Sequence, residues 1–123
     1  MRKKDKMVKH NFKKLIIWQK SLELVFETYR ITKTFPSDEK FGLTSQLNRC
    51  SVSIPSNIAE GSSKSSEKHF KTFLEVSLGS AFEWETQIVI AKGLNYITQD
   101  KFNQLEKNIN DIQKMISSFK EKL

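Results

Sequence analysis

Apolar residues recur along most of this chain at alternating steps of three and four, the spacing that one face of an α-helix requires. Three short stretches of turn-forming residues interrupt the pattern, at 35–38, 61–66 and 93–96. The last segment is the most regular, with apolar positions at Phe102, Leu105, Ile109, Ile112, Ile116 and Phe119. The pattern predicts four helices, over about 15–35, 38–60, 66–92 and 98–121.

Residues that favour helix ends stand near these boundaries. Short polar side chains cap a helix because they accept hydrogen bonds from its first free backbone amides. The expected N-terminal caps are Ser37 or Asp38, Ser65 or Ser66, and Thr98. Gly61 and Gly93 are expected just after the second and third helices, where glycine adopts the backbone conformation that ends a helix.

The connections between the predicted helices are short, and short connections make neighbouring helices antiparallel. The sequence therefore predicts an all-α fold, an antiparallel up-down-up-down four-helix bundle over 15–123. Pro55 falls inside the second helix, where it lacks an amide donor and crowds the carbonyl of Ser51. We interpret it as a kink or a split of that helix, with a bend that shapes a site as the alternative.

The first and third predicted helices carry more apolar surface than one bundle needs. In the first helix, a second series lies opposite the main stripe of Leu15, Trp18 and Leu22. So large an apolar surface is unusual on a monomer, which indicates an oligomer, although loops or the N-terminal tail could also cover it. The expected interface residues are Ile17, Leu24, Ile31 and Phe35 in the first helix, and Leu78, Phe82 and Val89 in the third.

Positive charge is concentrated at the N-terminus. The chain has 123 residues, the length of one domain, and its 21 bases and 14 acids give a net charge of +7. Residues 1–14 hold seven bases and one acid, whereas the rest hold fourteen bases and thirteen acids. The sequence predicts a flexible basic arm over 1–14 on a nearly neutral bundle, and such an arm either binds nucleic acid or serves solubility.

Few residues could carry catalysis. One cysteine and two histidines lack the spacing of a metal site. The loop at 61–66 could hold a phosphate beside Lys64 and Lys68, but it lacks the pattern of a P-loop and is more simply a capped polar loop. No apolar run has the length of a membrane span. We therefore expect no enzymatic activity, cofactor, metal or membrane contact, and the single Cys50 fits the reducing cytoplasm.

Residues 35–61 carry a specific motif. Phe35-Pro36 is followed by FGL at 41–43, QL-x-R at 46–49 and VSIP-x-NIAEG at 52–61. These residues, together with L-x-x-WQK at 15–20 and F-x-x-FL at 70–74, resemble the four-helix-bundle family encoded in intervening sequences of bacterial 23S ribosomal RNA genes. The resemblance covers about 12–120. Asn48 and Cys50 depart from it, since the family usually has a basic or small apolar residue and an alanine there.

The resemblance implies a bacterial, cytoplasmic and non-enzymatic bundle that assembles as a homopentamer. It also implies a relation to the accessory variability determinant of diversity-generating retroelements, a basic protein associated with nucleic acid and with a reverse transcriptase. The second apolar series supports some oligomer independently, and the number five comes from the resemblance.

Two functions are compatible with these features. The first is binding of nucleic acid, above all RNA, by an oligomer that presents several basic arms together. The expected binding residues are Arg2, Lys3, Lys4, Lys6, Lys9, Lys13 and Lys14 in the arm, with Arg49, Lys64 and Lys68 in the bundle. The alternative is a protein-interaction scaffold or accessory subunit that docks a partner protein, such as a reverse transcriptase.

Overall fold

Four long helices account for most of the chain that the computed structural model describes, residues 11–123. They are α1 (Ile16–Thr32), α2 (Leu43–Ser62), α3 (Glu67–Gly93) and α4 (Gln99–Glu121). Two single 3₁₀ turns, Phe12–Lys14 and Ser37–Glu39, precede α1 and α2, and this part of the chain contains no strand. The prediction of an all-helical fold with four helices is confirmed. Residues 1–10 of the predicted arm lie outside the described range.

All four helices contribute to one hydrophobic core. Its largest fully buried side chains include Trp84 and Phe70 of α3. Burying a side chain of this size contributes about 1.5–3 kcal/mol, so the core is the main source of stability. The other apolar side chains that are less than 2% exposed are Leu47, Ile54, Ile58, Leu74, Ala81, Ile88, Ala91, Leu105, Ile109 and Ile116.

Polar contacts fix the helices against one another inside this core. Ser77 Oγ of α3 donates to the carbonyl of Ile54 in α2 at 2.8 Å. Trp84 Nε1 of α3 donates to Thr28 Oγ1 of α1 at 3.1 Å. Both contacts satisfy buried polar groups that would otherwise cost free energy, and they therefore set how far each helix is rotated about its own axis.

The connection between α1 and α2 differs from the prediction. α1 ends at Thr32 and α2 begins only at Leu43, because Pro36 disfavours helical backbone at the residue before it. Ser37 and Asp38 form a separate 3₁₀ turn and do not cap α2. Glu39 supplies the cap, since its Oε1 accepts from the Leu43 amide at 3.0 Å.

Of the other predicted helix ends, two are confirmed and two are wrong. Ser66 accepts from the His69 amide and Thr98 from the Lys101 amide, as predicted. Gly61, in contrast, lies inside α2, and Gly93 is the last residue of α3. The left-handed conformation that follows α3 falls on Asn95, with φ of 63°. Asparagine tolerates this conformation, so the turn does not need a glycine.

Pro55 lies within α2, and the helix continues through it. The split that we considered is therefore wrong. Proline's missing amide leaves one helical hydrogen bond unmade, at the carbonyl of Ser51. The ring itself is buried, so it contributes to the core in return.

The second apolar series of α1 is buried, contrary to the prediction, while Leu15 and Trp18 of the main stripe are half-buried and pack against the same core. The residues predicted to form an oligomer interface are buried in the core of their own chain. They are Ile17, Leu24 and Ile31 of α1 and Phe35, which follows the helix. Ser21 and Thr28 lie between these residues and donate to the carbonyls of Ile17 and Leu24 within the helix. Because these two side chains are small and their hydroxyls are hydrogen-bonded, other helices can pack closely against this face of α1, which therefore faces the core.

Candidate nucleic-acid interface

One end of the molecule gathers lysines from three separate parts of the chain. Gly61 of α2 lies against Phe70 of α3, and the rings of Phe70 and Phe119 of α4 are 5.6 Å apart. A shallow cleft of about 500 Å³ joins residues 14–17 to the last turns of α4, with Lys14, Lys114 and Lys122 around apolar side chains. The segments 11–17, 58–72 and 113–123 therefore meet, and we call them the basic end.

The basic end carries most of the net charge of the described chain. Its three segments hold eight lysines and three glutamates, a net charge of +5. The other described residues hold eight bases and ten acids, a net charge of −2. The eight lysines are Lys13, Lys14, Lys64, Lys68, Lys71, Lys114, Lys120 and Lys122. A nearly neutral composition therefore conceals a strongly polarised charge distribution.

These lysines are available to bind an anion. None of the eight forms an ion pair with another residue of the described range. Lys64 instead lies over the Phe73 ring, with Nζ 4.9 Å from its centroid. Five are exposed and the other three are half-buried. Ammonium groups without acidic partners create a positive potential that attracts polyanions.

The predicted binding residues fall into three groups. Lys13, Lys14, Lys64 and Lys68 lie together at the basic end. Arg49 lies elsewhere, exposed on α2 next to Cys50, whose thiol contacts Ser80 and Glu83 of α3. The five arm residues Arg2, Lys3, Lys4, Lys6 and Lys9 lie outside the described range.

The sequence pattern did not identify Lys71, Lys114, Lys120 and Lys122, which are half of the lysines at the basic end. Lys71 lies in the second turn of α3, Lys114 about two turns before the end of α4, and Lys120 and Lys122 at that end, where the helix dipole favours cations. That local preference was visible in the sequence. Their proximity to Lys14 was not, because it depends on how α1 packs against α4.

Two apolar faces remain exposed outside the basic end. The first, which we call the α1 face, comprises the exposed Phe26 and Tyr29 and the half-buried Trp18 and Leu22, spaced along one side of α1. Phe26 is 55% exposed and Tyr29 42%. The second, the α3 face, comprises Leu78, Phe82 and Val89, of which Phe82 is 54% and Val89 50% exposed.

Ionisable groups with shifted pKa values serve the fold. The pKa of Glu39 is lowered because its carboxylate accepts from the Tyr96 hydroxyl, at 2.7 Å, and from the Leu43 amide. Burial raises the pKa of the Cys50 thiol to about 12, with a further contribution from nearby Glu83. Within residues 11–123, no group of three or more His, Cys, Asp or Glu side chains could hold a metal ion.

No helix in the same range combines the length and the apolar character needed to cross a membrane. The notable surface features are therefore the basic end and the two apolar faces.

Comparisons with known proteins assign the family. A family model described as 23S rRNA-intervening sequence protein matches residues 13–118. The fold is similar to the crystal structure of a protein of unknown function from the S23 ribosomal protein family of Bacteroides thetaiotaomicron, with a TM-score of 0.80 and 25% sequence identity. That match covers 86% of this chain and 96% of the other, and no curated protein matches. Because the family model spans most of the sequence, this chain belongs to the 23S rRNA-intervening sequence protein family.

Proposed function

We propose that this protein is a non-enzymatic, cytoplasmic up-down-up-down four-helix bundle that binds nucleic acid, RNA above all, through its basic residues. The observation that carries the proposal is the basic end, where the described chain concentrates a net charge of +5. Residues 1–10 are joined to this end at Asn11 and add five bases and one acid. We therefore expect deletion of these residues to weaken binding by the basic end.

Binding by such a surface is driven by phosphate contacts. Each phosphate that a lysine neutralises releases condensed counterions, so affinity falls steeply as salt rises. Lysine is suited to this because its ammonium group is a point charge on a flexible stem. Affinity is therefore expected to depend weakly on base sequence.

The test is RNA binding by the full chain and by a variant lacking residues 1–10, measured by fluorescence anisotropy with a structured RNA. From 50 to 200 mM salt we expect the affinity of the full chain to fall by roughly 10³-fold or more, with a shallower slope for the variant. Absence of binding by the full chain at 50 mM salt, where phosphate contacts are strongest, would contradict the proposal.

We further propose that the protein is a homo-oligomer, with five subunits implied by the family resemblance. The α1 face and the α3 face are two different apolar surfaces on one chain, so contact between them is head-to-tail, and it closes into a ring when five such rotations complete one turn. Each large side chain buried there contributes about 1.5–3 kcal/mol before the cost of association. A ring of five would repeat the basic end and the arm five times.

Light scattering of two variants tests this contact. Phe26→Ser and Phe82→Ser should each reduce the assembly to monomers at micromolar concentration. Mixing them should restore a dimer, because one variant keeps its α1 face and the other its α3 face. Val52→Ser, on α2 and 39% exposed in the wild type, is the control and should leave the mass unchanged. A monomeric wild-type protein would refute the oligomer.

The second candidate function is a scaffold or accessory subunit that docks a partner protein such as a reverse transcriptase. Phe41 favours it, because this side chain is 90% exposed in the turn before α2. An exposed phenylalanine of this kind is a typical anchor for a protein pocket. Under this alternative, Phe41→Ser would abolish partner binding, whereas loss of the arm would leave it intact.

A further inference from the structure

The aromatic rings at the basic end are engaged within the chain. The Phe12 ring contacts Trp18 edge-on at 5.3 Å between centroids, and the Phe70 and Phe119 rings contact each other. Phe73 lies beneath the Lys64 ammonium. None of these five rings is exposed.

The exposed aromatic rings lie elsewhere. Phe26 and Tyr29 lie on the α1 face, Phe82 on the α3 face, and Phe41 in the turn before α2. Residues 1–11 contain no Phe, Tyr or Trp that could add a ring beside the lysines. Proteins that bind single strands rely on such rings, since stacking contributes about 1–3 kcal/mol per base.

Groups that read bases by hydrogen bonding are scarce in the same place. The eight cations of the basic end are all lysines, and the arginines at 30 and 49 lie outside its segments. Arginine forms the commonest base-specific contact because its planar group binds guanine through two hydrogen bonds. A surface of lysines without arginine or an exposed Phe, Tyr or Trp ring is suited to the backbone of nucleic acid and poorly suited to its bases.

The lysines also come from three segments that meet across the end of the bundle, so they do not follow one narrow groove. A double helix presents two rows of phosphates, with one charge per about 1.7 Å of its axis. A single strand exposes its bases, for which this surface offers only the exposed imidazole of His69, already hydrogen-bonded to Ser66 at 3.0 Å. We infer that the basic end binds double-helical nucleic acid through its phosphate backbone. This inference rests on the proposed nucleic-acid binding.

The experiment compares four fluorescent probes with the full chain at about 100 mM salt: a 20-base-pair RNA duplex, one RNA strand of it chosen to lack internal pairing, and their DNA equivalents. We expect the RNA duplex to bind at least about tenfold more tightly than the RNA strand, because the strand gains no stacking energy here. The DNA duplex and DNA strand show whether binding depends on the RNA or the DNA backbone. We expect the duplex to bind more tightly than the strand for RNA and for DNA.

Two matched variants locate the site. Lys68, Lys114 and Lys122 replaced together by Gln should weaken duplex binding about tenfold or more and reduce the salt slope. The control variant replaces Lys33, Lys40 and Lys92 by Gln. These lysines lie outside the basic end, and their replacement lowers the net charge by the same amount. Its effect should be within about threefold of wild type, because screening weakens distant charges. Circular dichroism confirms that both variants fold.

Two results overturn the inference. If the single strand binds as tightly as the duplex, nucleic-acid binding stands and the preference for a double helix is wrong. If the control variant weakens binding as much as the basic-end variant, the location is wrong. Failure of every probe to bind even at 50 mM salt refutes the proposed function together with this inference.

Discussion

The indole of Trp84 donates its only hydrogen bond to the hydroxyl of Thr28, at 3.1 Å, and both side chains are almost fully buried. The Thr28 hydroxyl in turn donates to the carbonyl of Leu24 at 2.6 Å. This chain of two hydrogen bonds joins the middle of α3 to α1. It lies on the same face of α1 as the buried Ile17, Leu24 and Ile31, so the polar contact and the apolar packing favour the same orientation of the helix.

Replacing Thr28 by valine should leave the Trp84 N–H buried without a partner. We expect a loss of about 1–3 kcal/mol in the free energy of unfolding, the usual cost of an unsatisfied buried donor. The measurement is urea denaturation followed by circular dichroism. Ser21→Ala is the control, because the Ser21 hydroxyl donates only to its own helix, at Ile17, and its removal leaves no buried donor unpaired. Equal losses in the two variants would contradict this role of Thr28.

Gly61→Ala should destabilise the protein because α2 and α3 approach closely at this residue. A Cβ at Gly61 would lie 2.7 Å from Cβ of Phe73 and 2.9 Å from Cδ1 of Phe70. Overpacking of this kind costs about 1–3 kcal/mol. The measurement is again the free energy of unfolding.

Gly79 provides the matched control for Gly61. It lies in α3 with no atom within 4 Å of an added Cβ. Gly79→Ala should therefore stabilise the protein by up to about 1 kcal/mol through helix propensity. A stabilising Gly61→Ala would show that the two helices are farther apart than described.

Cys50 should be unreactive in the folded protein. Burial, with Glu83 as a second cause, raises its pKa to about 12, so at pH 8 only about one thiol in ten thousand is the reactive thiolate. Ellman's reagent should label it slowly in buffer and at once in 6 M guanidinium. Glu83→Gln should leave labelling slow, because burial is the larger cause. Rapid labelling of the native protein would refute this prediction.

Glu27 should make stability depend on pH under acidic conditions. Its pKa is lowered chiefly because its carboxylate accepts from Lys101, at 2.9 Å, with Arg30 contributing less. A carboxyl whose pKa is lower in the folded state stabilises fully above its unfolded value of 4.5. This contribution is lost as pH falls through the lowered folded value.

Glu27→Gln isolates this contribution. At pH 7 the variant should be less stable than wild type by about 1 kcal/mol, and the difference should shrink below pH 4.5. Thermal unfolding at pH 7 and pH 3 measures both. Asp111→Asn removes an exposed carboxylate paired with Lys107 and should have a smaller effect at pH 7. A difference for Glu27→Gln that grows on acidification would show the opposite sign of coupling.

Local features of the chain were predicted well from sequence. The spacing of Leu105, Ile109 and Ile116 indicated α4 and its buried face, and Ser66 and Thr98 cap their helices as expected. These features depend on residues within one or two helical turns. The cap of α2 was predicted wrongly, because the Glu39 carboxylate reaches the Leu43 amide across a turn whose path the sequence did not reveal.

The two faces of α1 show where local pattern fails. Phe26 and Tyr29 are large aromatic side chains, whereas Ser21 and Thr28 are small and polar. Hydrophobicity alone therefore favours burying the aromatic side. The inner face is decided by partners that are distant in sequence, since Trp84 lies 56 residues from Thr28. Where a helix has apolar residues on two sides, as α1 does, hydrophobic periodicity does not indicate which side meets another helix.

By itself the sequence determined four helices, a net charge of +7 and membership of a specific family through its motif at 35–61. Only the tertiary structure decided that eight lysines, scattered between positions 13 and 122, meet at one end of the molecule. The physical reason is that composition counts charges without regard to position. Their grouping depends on which helix ends pack together, and that packing is set by the core.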